Sequence, residues 1–327
     1  MFRSLRDHQK IKIKLLVVLL AAITPFLIFI FYLFDLWYDT RRQLVIDENI
    51  TTARLIATNI NQSFQIGEST AVMVADQSIN QVSQDTQPLR NTDELQEFVK
   101  GIQNKGSDLK EVGFFDLAGN IIATSVVLTP EREKANIADR AYFQETIRTK
   151  KPSRSGVVFG KLTGQYIIAH AAPVLQEGVV RAVTVSTFDV VQLKTKLEST
   201  LTNKNRVIIL VDSEKHVAFR LFEPLEQIEK LQSITGNPHV QVASQGIETL
   251  FDFESFPAIS ATERFIGVTA PMGNQIPHWV VVSMQPLSQI YAPLLQLQSS
   301  MWIILGSALI FSFALVSYVI RKIRVIY

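Results

Sequence analysis

Two long apolar runs mark the ends of this chain. The segments "LLVVLLAAITPFLIFIFYLF" (15–34) and "MWIILGSALIFSFALVSYVI" (301–320) contain no charged residue. Each runs for about 20 residues, which is enough to cross the hydrocarbon core of a bilayer. Pro25 in the first run is compatible with a span, because membrane helices tolerate proline better than soluble helices do. The pattern predicts transmembrane helices at 15–37 and 300–320.

The flanks of these runs predict their orientation. Basic residues precede the first run and follow the second: Arg3, Arg6, Lys10, Lys12 and Lys14, then Arg321, Lys322 and Arg324. An excess of Lys and Arg marks the cytoplasmic side. We therefore expect a two-pass protein of the inner membrane, with residues 1–14 and 321–327 in the cytoplasm and 38–299 periplasmic or extracellular. A cleaved signal peptide is disfavoured, because "FYLFDLWYD" offers no small-residue cleavage site.

A long helix is predicted from residue 39 to residue 82. Its apolar positions follow steps of four and three, as in a coiled-coil seam. We call these positions the helical seam: Ile46, Ile50, Ala53, Ala57, Ile60 and Phe64. Two uses of the seam remain open: it could pack on its own domain, or it could form a homodimer with a second copy of the chain.

The remaining outer segment alternates apolar and polar residues in a pattern that occurs twice. "EVGFFDLAGNIIATS" (111–125) predicts a β-hairpin with a tight turn at Gly119 and Asn120, and "RVIILVDSEKHVAFR" (206–220) resembles it. Likewise, 264–284 resembles 165–186, each with two strands joined by a short turn. The repeat predicts a duplicated α+β unit with antiparallel sheets, in lobes of about 92–201 and 202–285, followed by an exit helix at 286–299.

Composition narrows the function further. The 32 basic and 30 acidic residues nearly balance, which gives no basis for nucleic-acid binding, and the absence of cysteine excludes thiol chemistry. The five histidines form no close metal-binding pair, and neither a nucleophile elbow nor a phosphate-binding loop occurs. We expect no catalytic residue, no metal and no cofactor, so a periplasmic hydrolase is the weakest alternative.

The stretch "ADRAYFQE" (138–145) carries the most specific candidate chemistry. Asp139 could cap a helix that begins at Arg140 and ends before Pro152. A cation in the first helical turn is mildly unfavourable, which suggests another role for Arg140. Its guanidinium can pair with both oxygens of a carboxylate, and Tyr142 would add an aromatic wall with a hydroxyl group.

The order of these segments resembles the double Cache family of extracytoplasmic sensor domains over residues 39–299. The motifs that carry the resemblance are "FFDLAGNIIATS", "ADRAYF", "TGQYIIAHAAPV" and "VRAVTVSTFD". The family implies two PAS-like lobes hung from one long helix, with a small-molecule ligand in the membrane-distal lobe. It also implies that Arg140 and Tyr142 hold the carboxylate of the ligand, as in members that bind amino acids.

The same members hold the ligand amine with acidic or tyrosyl groups that this chain lacks. The corresponding positions are Val158, Gly160 and either Ser186 or Thr187. None of these side chains can balance an ammonium ion by charge. We therefore expect an organic acid as the ligand rather than an α-amino acid.

Four further residues are candidates for lining the site. Tyr166 and His170 alternate on one strand and share a face, so both look into the pocket or both look away from it. His170 could equally be a structural histidine of the core. Ser155 and Phe159 come from the strand beside the motif.

The sequence thus predicts a membrane-anchored ligand sensor that signals through its second span to a cytoplasmic output module or partner, such as a histidine kinase, diguanylate cyclase or chemoreceptor module. Because only seven residues follow residue 320, we expect that the output domain is missing from this chain. A membrane-anchored assembly or adhesion module is the alternative, although it leaves the motif around Arg140 unexplained.

Overall fold

The computed structural model of this protein describes residues 2–82, 92–104, 109–201, 205–223, 233–256, 259–273 and 278–326. The chain divides into two compact units, Met1–Glu48 and Asn49–Tyr327. Within the described ranges, no helix combines the length and the apolar character that a membrane crossing requires. The two expected transmembrane helices are therefore not confirmed. The predicted break around Pro88 lies outside the described residues.

Helix α1 (Phe2–Val82) contains the long helix that the sequence predicts from residue 39. In the second unit one face of α1 is buried, first at Ala53, Ile60 and Phe64 and then at Ala71 and Val74. The seam positions from Ala53 to Phe64 belong to a hydrophobic core shared with both sheets. This stretch of the seam therefore packs on its own domain, which was the first of the two alternatives.

The first lobe is built on a five-stranded antiparallel sheet in the order β2-β1-β5-β4-β3. Its elements are α2 (Thr92–Asn104), β1 (Glu111–Phe115), β2 (Ile121–Thr124), α3 (Ala141–Thr149), β3 (Ser153–Phe159), β4 (Tyr166–Gln176), β5 (Val179–Asp189) and α4 (Val190–Thr200). One face of this sheet packs on α1 and α2. The other face packs on α3 and the loops around it.

The second lobe repeats that sheet in the order β7-β6-β10-β9-β8. Its elements are β6 (Val207–Val211), β7 (Val217–Arg220), α5 (Pro238–Ser244), β8 (Thr249–Phe256), β9 (Ser260–Met272) and β10 (Trp279–Pro286), followed by α6 (Leu287–Ile326). Both sheets thus place the strands of each repeat in the same order, which confirms the predicted duplication. The predicted exit helix forms the first part of α6.

The two hairpins β1–β2 and β6–β7 share one turn device. Asp116 Oδ1 accepts a hydrogen bond from the backbone N–H of Asn120 at 2.7 Å, and Asp212 Oδ1 accepts one from His216 N–H at 2.9 Å. Gly119 has a φ of 80°, which suits glycine, whereas Lys215 has a φ of 66° at the matching place. The aspartate therefore fixes each turn whether or not glycine is present.

The lobes meet along β3. The pairing of β3 with β4 shifts register between Arg154 and Val157. At this irregularity Asp212 Oδ2, from the second lobe, accepts a hydrogen bond from Val157 N–H at 3.2 Å. A Cβ atom on Gly156 would lie 2.7 Å from the same carboxylate oxygen, so only glycine lets the two lobes approach this closely. Arg154 lies 4.3 Å from the centroid of the Phe64 ring of α1.

Candidate functional site

The motif around Arg140 forms the entry to α3, but its cap differs from the prediction. Arg140 is the N-cap residue, with no side-chain capping bond, and the helix proper begins at Ala141. The prediction that Asp139 caps a helix beginning at Arg140 is wrong. The Asp139 carboxylate instead binds the Lys161 ammonium at 2.7 Å, because Lys161 reaches it from the turn after β3. This interaction with Lys161 holds the pKa of Asp139 below its usual value.

From the N-cap position, the Arg140 side chain reaches the end of β3. Its Nη2 donates a hydrogen bond to the carbonyl oxygen of Phe159 at the end of β3, at 2.7 Å. Its Nε lies 4.0 Å from Asp139 Oδ1. The guanidinium is thus oriented by one backbone carbonyl, and the side chain remains 22% exposed. The five N–H donors of a guanidinium exceed what this single bond uses, so donors remain for a ligand.

Arg140 lines a cleft between the sheet of the first lobe and the segments that cover it. The space within and in front of the cleft amounts to about 310 Å³ when open solvent is included. Its lining comes from β1, β4, β5, α3 and the segment before it, the end of β3 and the turn that follows β3. The lining residues are Glu111, Phe115, Ile137, Arg140, Tyr142, Val158, Phe159, Gly160, Lys161, Leu162, Ile167, Val185 and Thr187.

Tyr142 forms a buried wall of this cleft, with 7% of its surface exposed. Burial raises the pKa of its phenol well above the usual value, and the negative charge of Glu111 raises it further. The phenol therefore keeps its proton at every physiological pH. Its hydroxyl group can donate a hydrogen bond to an anionic ligand.

Phe159 contributes to the site mainly through its backbone. The Phe159 carbonyl holds Arg140, whereas its ring is 54% exposed and meets the Tyr166 ring edge-on, with centroids 5.5 Å apart. Val158 precedes Phe159 on β3 and points to the opposite face of the sheet. It lines the cleft with an apolar side chain.

Gly160 also lines the cleft, and it leaves no room for a larger residue. A Cβ atom there would collide with Thr163 Oγ1 and approach Ile167 Cδ1 to 3.0 Å. The turn is closed by Gly160 N–H donating to the Gln165 carbonyl at 2.8 Å. An aspartate or glutamate at position 160 would therefore clash with Thr163 unless the turn changed its conformation.

Of the two alternatives on β5, the structure places Thr187 in the cleft and Ser186 on the opposite face. Ser186 Oγ donates to the Gly67 carbonyl of α1 at 2.7 Å. Thr187 lines the cleft, and its buried Oγ1 has no hydrogen-bond partner within the described residues. A ligand atom could supply that partner.

Glu111 is a cleft residue that the sequence reasoning missed. It is the first residue of β1, only 3% of its surface is exposed, and it pairs directly with Thr187 across the strands. Burial raises the pKa of this carboxyl to about 7, although a hydrogen bond with the Thr124 side chain opposes the shift. The sequence could place Glu111 and Phe115 on one face of a strand by alternation, but it carried no signal that the first position of this strand is buried.

Three predicted site residues lie away from this cleft. Tyr166 and His170 share a face of β4, as expected, but that face points toward α1, where Tyr166 packs on the core. His170 lies between Phe64 and Phe188, with ring centroids 5.5 Å and 5.7 Å away. Burial, and then the charge of Arg154, lowers the pKa of His170 to about 3, so it is neutral.

Ser155 is used inside the sheet. Its Oγ donates to the Gly156 carbonyl at 2.6 Å and accepts from Ala169 N–H at 2.9 Å. The hydroxyl group thus bridges β3 and β4 beside the register shift. It stabilises the strand that carries Val158 and Phe159 into the cleft.

Comparison with known proteins identifies the fold. The sequence model of the Cache domain matches residues 38–294. No curated protein matches the sequence.

Solved sensor domains share this architecture. The periplasmic sensory domain of the Campylobacter jejuni chemoreceptor Tlp1 aligns with a TM-score of 0.60 at 14% identity, covering 77% of this chain and 99% of that one. The sensor domain of the V. cholerae histidine kinase DctB aligns with a TM-score of 0.52 at 15% identity, covering 75% of this chain and 98% of that one. The ligand-binding domain of the Pseudomonas fluorescens chemoreceptor CtaA, in complex with L-isoleucine, aligns with a TM-score of 0.53 at 10% identity, covering 79% of this chain and 97% of that one. At these identities the likeness shows the fold.

Proposed function

We propose a sensing function for this chain, which belongs to the Cache domain family. Cache domains are typically extracellular sensor domains of membrane receptors. Our proposal is that the first lobe binds a small organic acid in the cleft at Arg140. The second lobe and α6 then pass the conformational change caused by ligand binding toward a cytoplasmic output module.

The position of Arg140 is the observation that carries this proposal. A guanidinium oriented by the Phe159 carbonyl, beside the protonated phenol of Tyr142, can bind both oxygens of a carboxylate. Val158 and Gly160 leave the opposite wall without charge. These features favour an acid without an α-amino group, although the domain of CtaA was solved with L-isoleucine.

Isothermal titration calorimetry on the purified full chain in detergent tests the proposal. The panel contains acetate, pyruvate, malate and succinate, with L-alanine and L-isoleucine for comparison. Charge-assisted hydrogen bonds contribute about 1.5–3 kcal/mol, so Arg140→Ala should weaken binding of an acid by about 10- to 100-fold. Arg148→Ala is the matched control, because Arg148 is exposed on α3 and pairs with Glu145. Tight binding of an amino acid that survives Arg140→Ala would refute the proposal.

Signalling through β3 is the second part of the proposal. The end of β3 forms the cleft at Val158 and Phe159, and one residue earlier its Val157 N–H is held by Asp212 of the second lobe. A ligand that draws the end of β3 toward Arg140 would therefore shift the contact between the lobes. We propose that α6, directly after β10, carries this movement into the second predicted span.

The membrane topology and the output remain part of this proposal. We propose two spans, with both termini in the cytoplasm and the lobes in the periplasm or outside the cell. The output module is a histidine kinase, diguanylate cyclase or chemoreceptor module. Cysteine accessibility in intact cells tests the topology: a cysteine at exposed Val127 should react with an impermeant maleimide before lysis. Protection of that cysteine until lysis would contradict it.

We also propose a homodimer through α1, using a different face from the seam. Leu55, Ile66 and Met73 are exposed apolar residues of α1, and their spacing of 11 and 7 residues places them on one side of the helix. Cysteines at these positions should crosslink two chains in membranes. Crosslinking instead at Ala53, which is fully buried in its own core, would contradict this choice of face.

A further inference from the structure

We propose that Glu111 determines the specificity of the cleft: in its protonated form it donates a hydrogen bond to an oxygen of the bound acid. The inference rests on the proposed function, because it concerns the same cleft. Arg140 and Tyr142 can bind the carboxylate of the ligand without Glu111. The inference therefore assigns a separate role to the Glu111 side chain.

The backbone of β1 directs Glu111 into the cleft. Successive side chains of a strand point to opposite faces, and Phe115, on the same face as Glu111, also lines the cleft. Val112 and Phe114, between them, belong to the core on the α1 face. Glu111 therefore projects toward the ligand space and away from α1.

Thr187 completes a polar patch on the floor of the cleft. It lies directly opposite Glu111 in the pairing of β1 with β5, and facing residues of neighbouring strands have Cβ atoms about 4.5–5.5 Å apart. The unpartnered Thr187 Oγ1 and the Glu111 carboxyl group thus face the same space. Buried polar groups are normally hydrogen-bonded. The Glu111 carboxyl group already has the Thr124 side chain as a partner, so an oxygen-bearing ligand would give Thr187 its partner and Glu111 a second one.

Burial, and not the surrounding charges, favours the neutral form of the Glu111 carboxyl group. The titratable groups that line the cleft with Glu111 are Tyr142 from α3, Arg140 from its N-cap and Lys161 from the turn after β3. Lys161 is paired with Asp139, and Tyr142 keeps its proton. The neighbouring strands β2 and β5 contribute the hydroxyl groups of Thr124 and Thr187, and β5 ends at the buried Asp189 carboxylate, which pairs with Lys110 at 3.8 Å. Burial of Glu111, rather than a nearby charge, dominates the rise of its pKa to about 7.

The charge of the ligand then decides the direction of proton exchange. A second negative charge in the cleft disfavours ionisation of Glu111, so binding of an acid anion must take up a proton from solution. A ligand with an ammonium group would have the opposite effect and expel a proton. The sign of the proton exchange therefore distinguishes a hydrogen-bond donor at Glu111 from a counterion for an amine.

Calorimetry of the full chain measures this exchange directly. Titration of the tightest acid of the panel, in two buffers with different ionisation enthalpies, gives the number of protons bound per ligand. At pH 7 about half of Glu111 is already protonated, so we expect uptake of up to about half a proton there, rising toward one proton at about pH 8. The affinity for the acid should fall as pH rises through about 7. This measurement uses the unmodified chain, so it does not depend on the folding of a variant.

Glu111→Gln separates the donor from the titrating group. The Gln amide can donate a hydrogen bond at any pH, so the variant should still bind the acid but lose both the proton uptake and the pH dependence. Glu145→Gln is the control, because Glu145 is an exposed acid of α3 and should leave both unchanged. Acid binding without proton uptake in the unmodified chain would overturn the inference while leaving the proposed function intact. Binding of L-alanine or L-isoleucine with proton release, abolished by Glu111→Gln, would overturn the inference as well. If no acid of the panel binds, the proposed function fails first, and the inference fails with it.

Discussion

The protonation of Glu111 has a consequence for folding stability that needs no ligand. Replacing Glu111 by Gln keeps the size of the side chain but removes its titration. Burial holds the pKa of Glu111 at about 7 in the folded chain, against an ordinary value of 4.5. The stability of the natural chain should therefore depend on pH in a way that the variant does not share.

The direction follows from proton binding in the two states. Below about pH 4.5 Glu111 is protonated in both the folded and the unfolded chain, so its contribution to stability is complete. Between about 4.5 and about 7 the unfolded chain loses the proton while the folded chain keeps it, so stability falls with rising pH. Above about pH 7 both states are ionised, and the loss is constant.

The size of the effect comes from the shift in pKa. A shift of one pH unit corresponds to about 1.36 kcal/mol, so the rise from 4.5 to about 7 corresponds to a loss of about 3 kcal/mol. Glu111 is 3% exposed, so solvent screens little of it. The stability of Glu111→Gln minus that of the natural chain should therefore increase by about 3 kcal/mol across this range.

Urea unfolding of both chains, followed by circular dichroism at a series of pH values, measures this difference. Other titrating groups cancel between the two chains, and Glu145→Gln reports the effect of removing an exposed carboxylate of α3. If the two stability curves ran parallel to within about 0.5 kcal/mol from pH 4.5 to 7.5, Glu111 would not carry a raised pKa, and the reasoning would be refuted.

Three further substitutions test the cleft and the contact between the lobes. Gly160→Ala should lower stability by about 1–3 kcal/mol and abolish acid binding, because its Cβ collides with Thr163; thermal unfolding and calorimetry check this, and an unchanged chain would contradict it. Asp212→Asn should lower the free energy of unfolding by about 1–3 kcal/mol, because it weakens the acceptor for Val157 N–H. We expect the thermal unfolding transition to split into two. A single transition at an unchanged temperature would contradict this prediction. Phe64→Ala removes a buried ring of the shared core and should cost about 3–5 kcal/mol in urea unfolding, whereas a loss below about 1 kcal/mol would contradict the packing.

The alternation of apolar residues was enough to predict the duplicated strands. Each hairpin carries an aspartate at the turn, and the structure uses Asp116 and Asp212 in the same way. The pattern is visible in sequence because turns and strands are specified by local residues.

The face toward which a side chain points depends on tertiary packing. Alternation placed Tyr166 and His170 together but could not say which side of β4 would meet α1. The close approach of α1 at Gly67 decides this, since a Cβ there would lie 2.7 Å from the His170 ring. The same limit explains the error at Asp139, whose carboxylate is taken by Lys161, 22 residues further along the chain.

Glu111 illustrates a different limit. A glutamate at the start of a strand is normally read as a solvated edge residue. Its burial depends on β5 and α3, which are distant in sequence. Only the assembled lobe shows that this carboxyl group lines the same cleft as Arg140.

The second oxygen of Asp212 bears on how such sensors can be recombined. In the first lobe the matching Asp116 carboxylate bonds within its own hairpin turn, to the N–H and the side-chain amide of Asn120, and to no other group in the part of the chain that the structure describes. In the second lobe, Asp212 Oδ2 accepts a hydrogen bond from Val157 N–H of the first lobe. The two halves are therefore not interchangeable cassettes. A chimera that grafts a foreign first lobe onto this second lobe must supply a strand with an irregularity and a glycine at the position of Gly156, or it will bury an unmatched carboxylate at the graft.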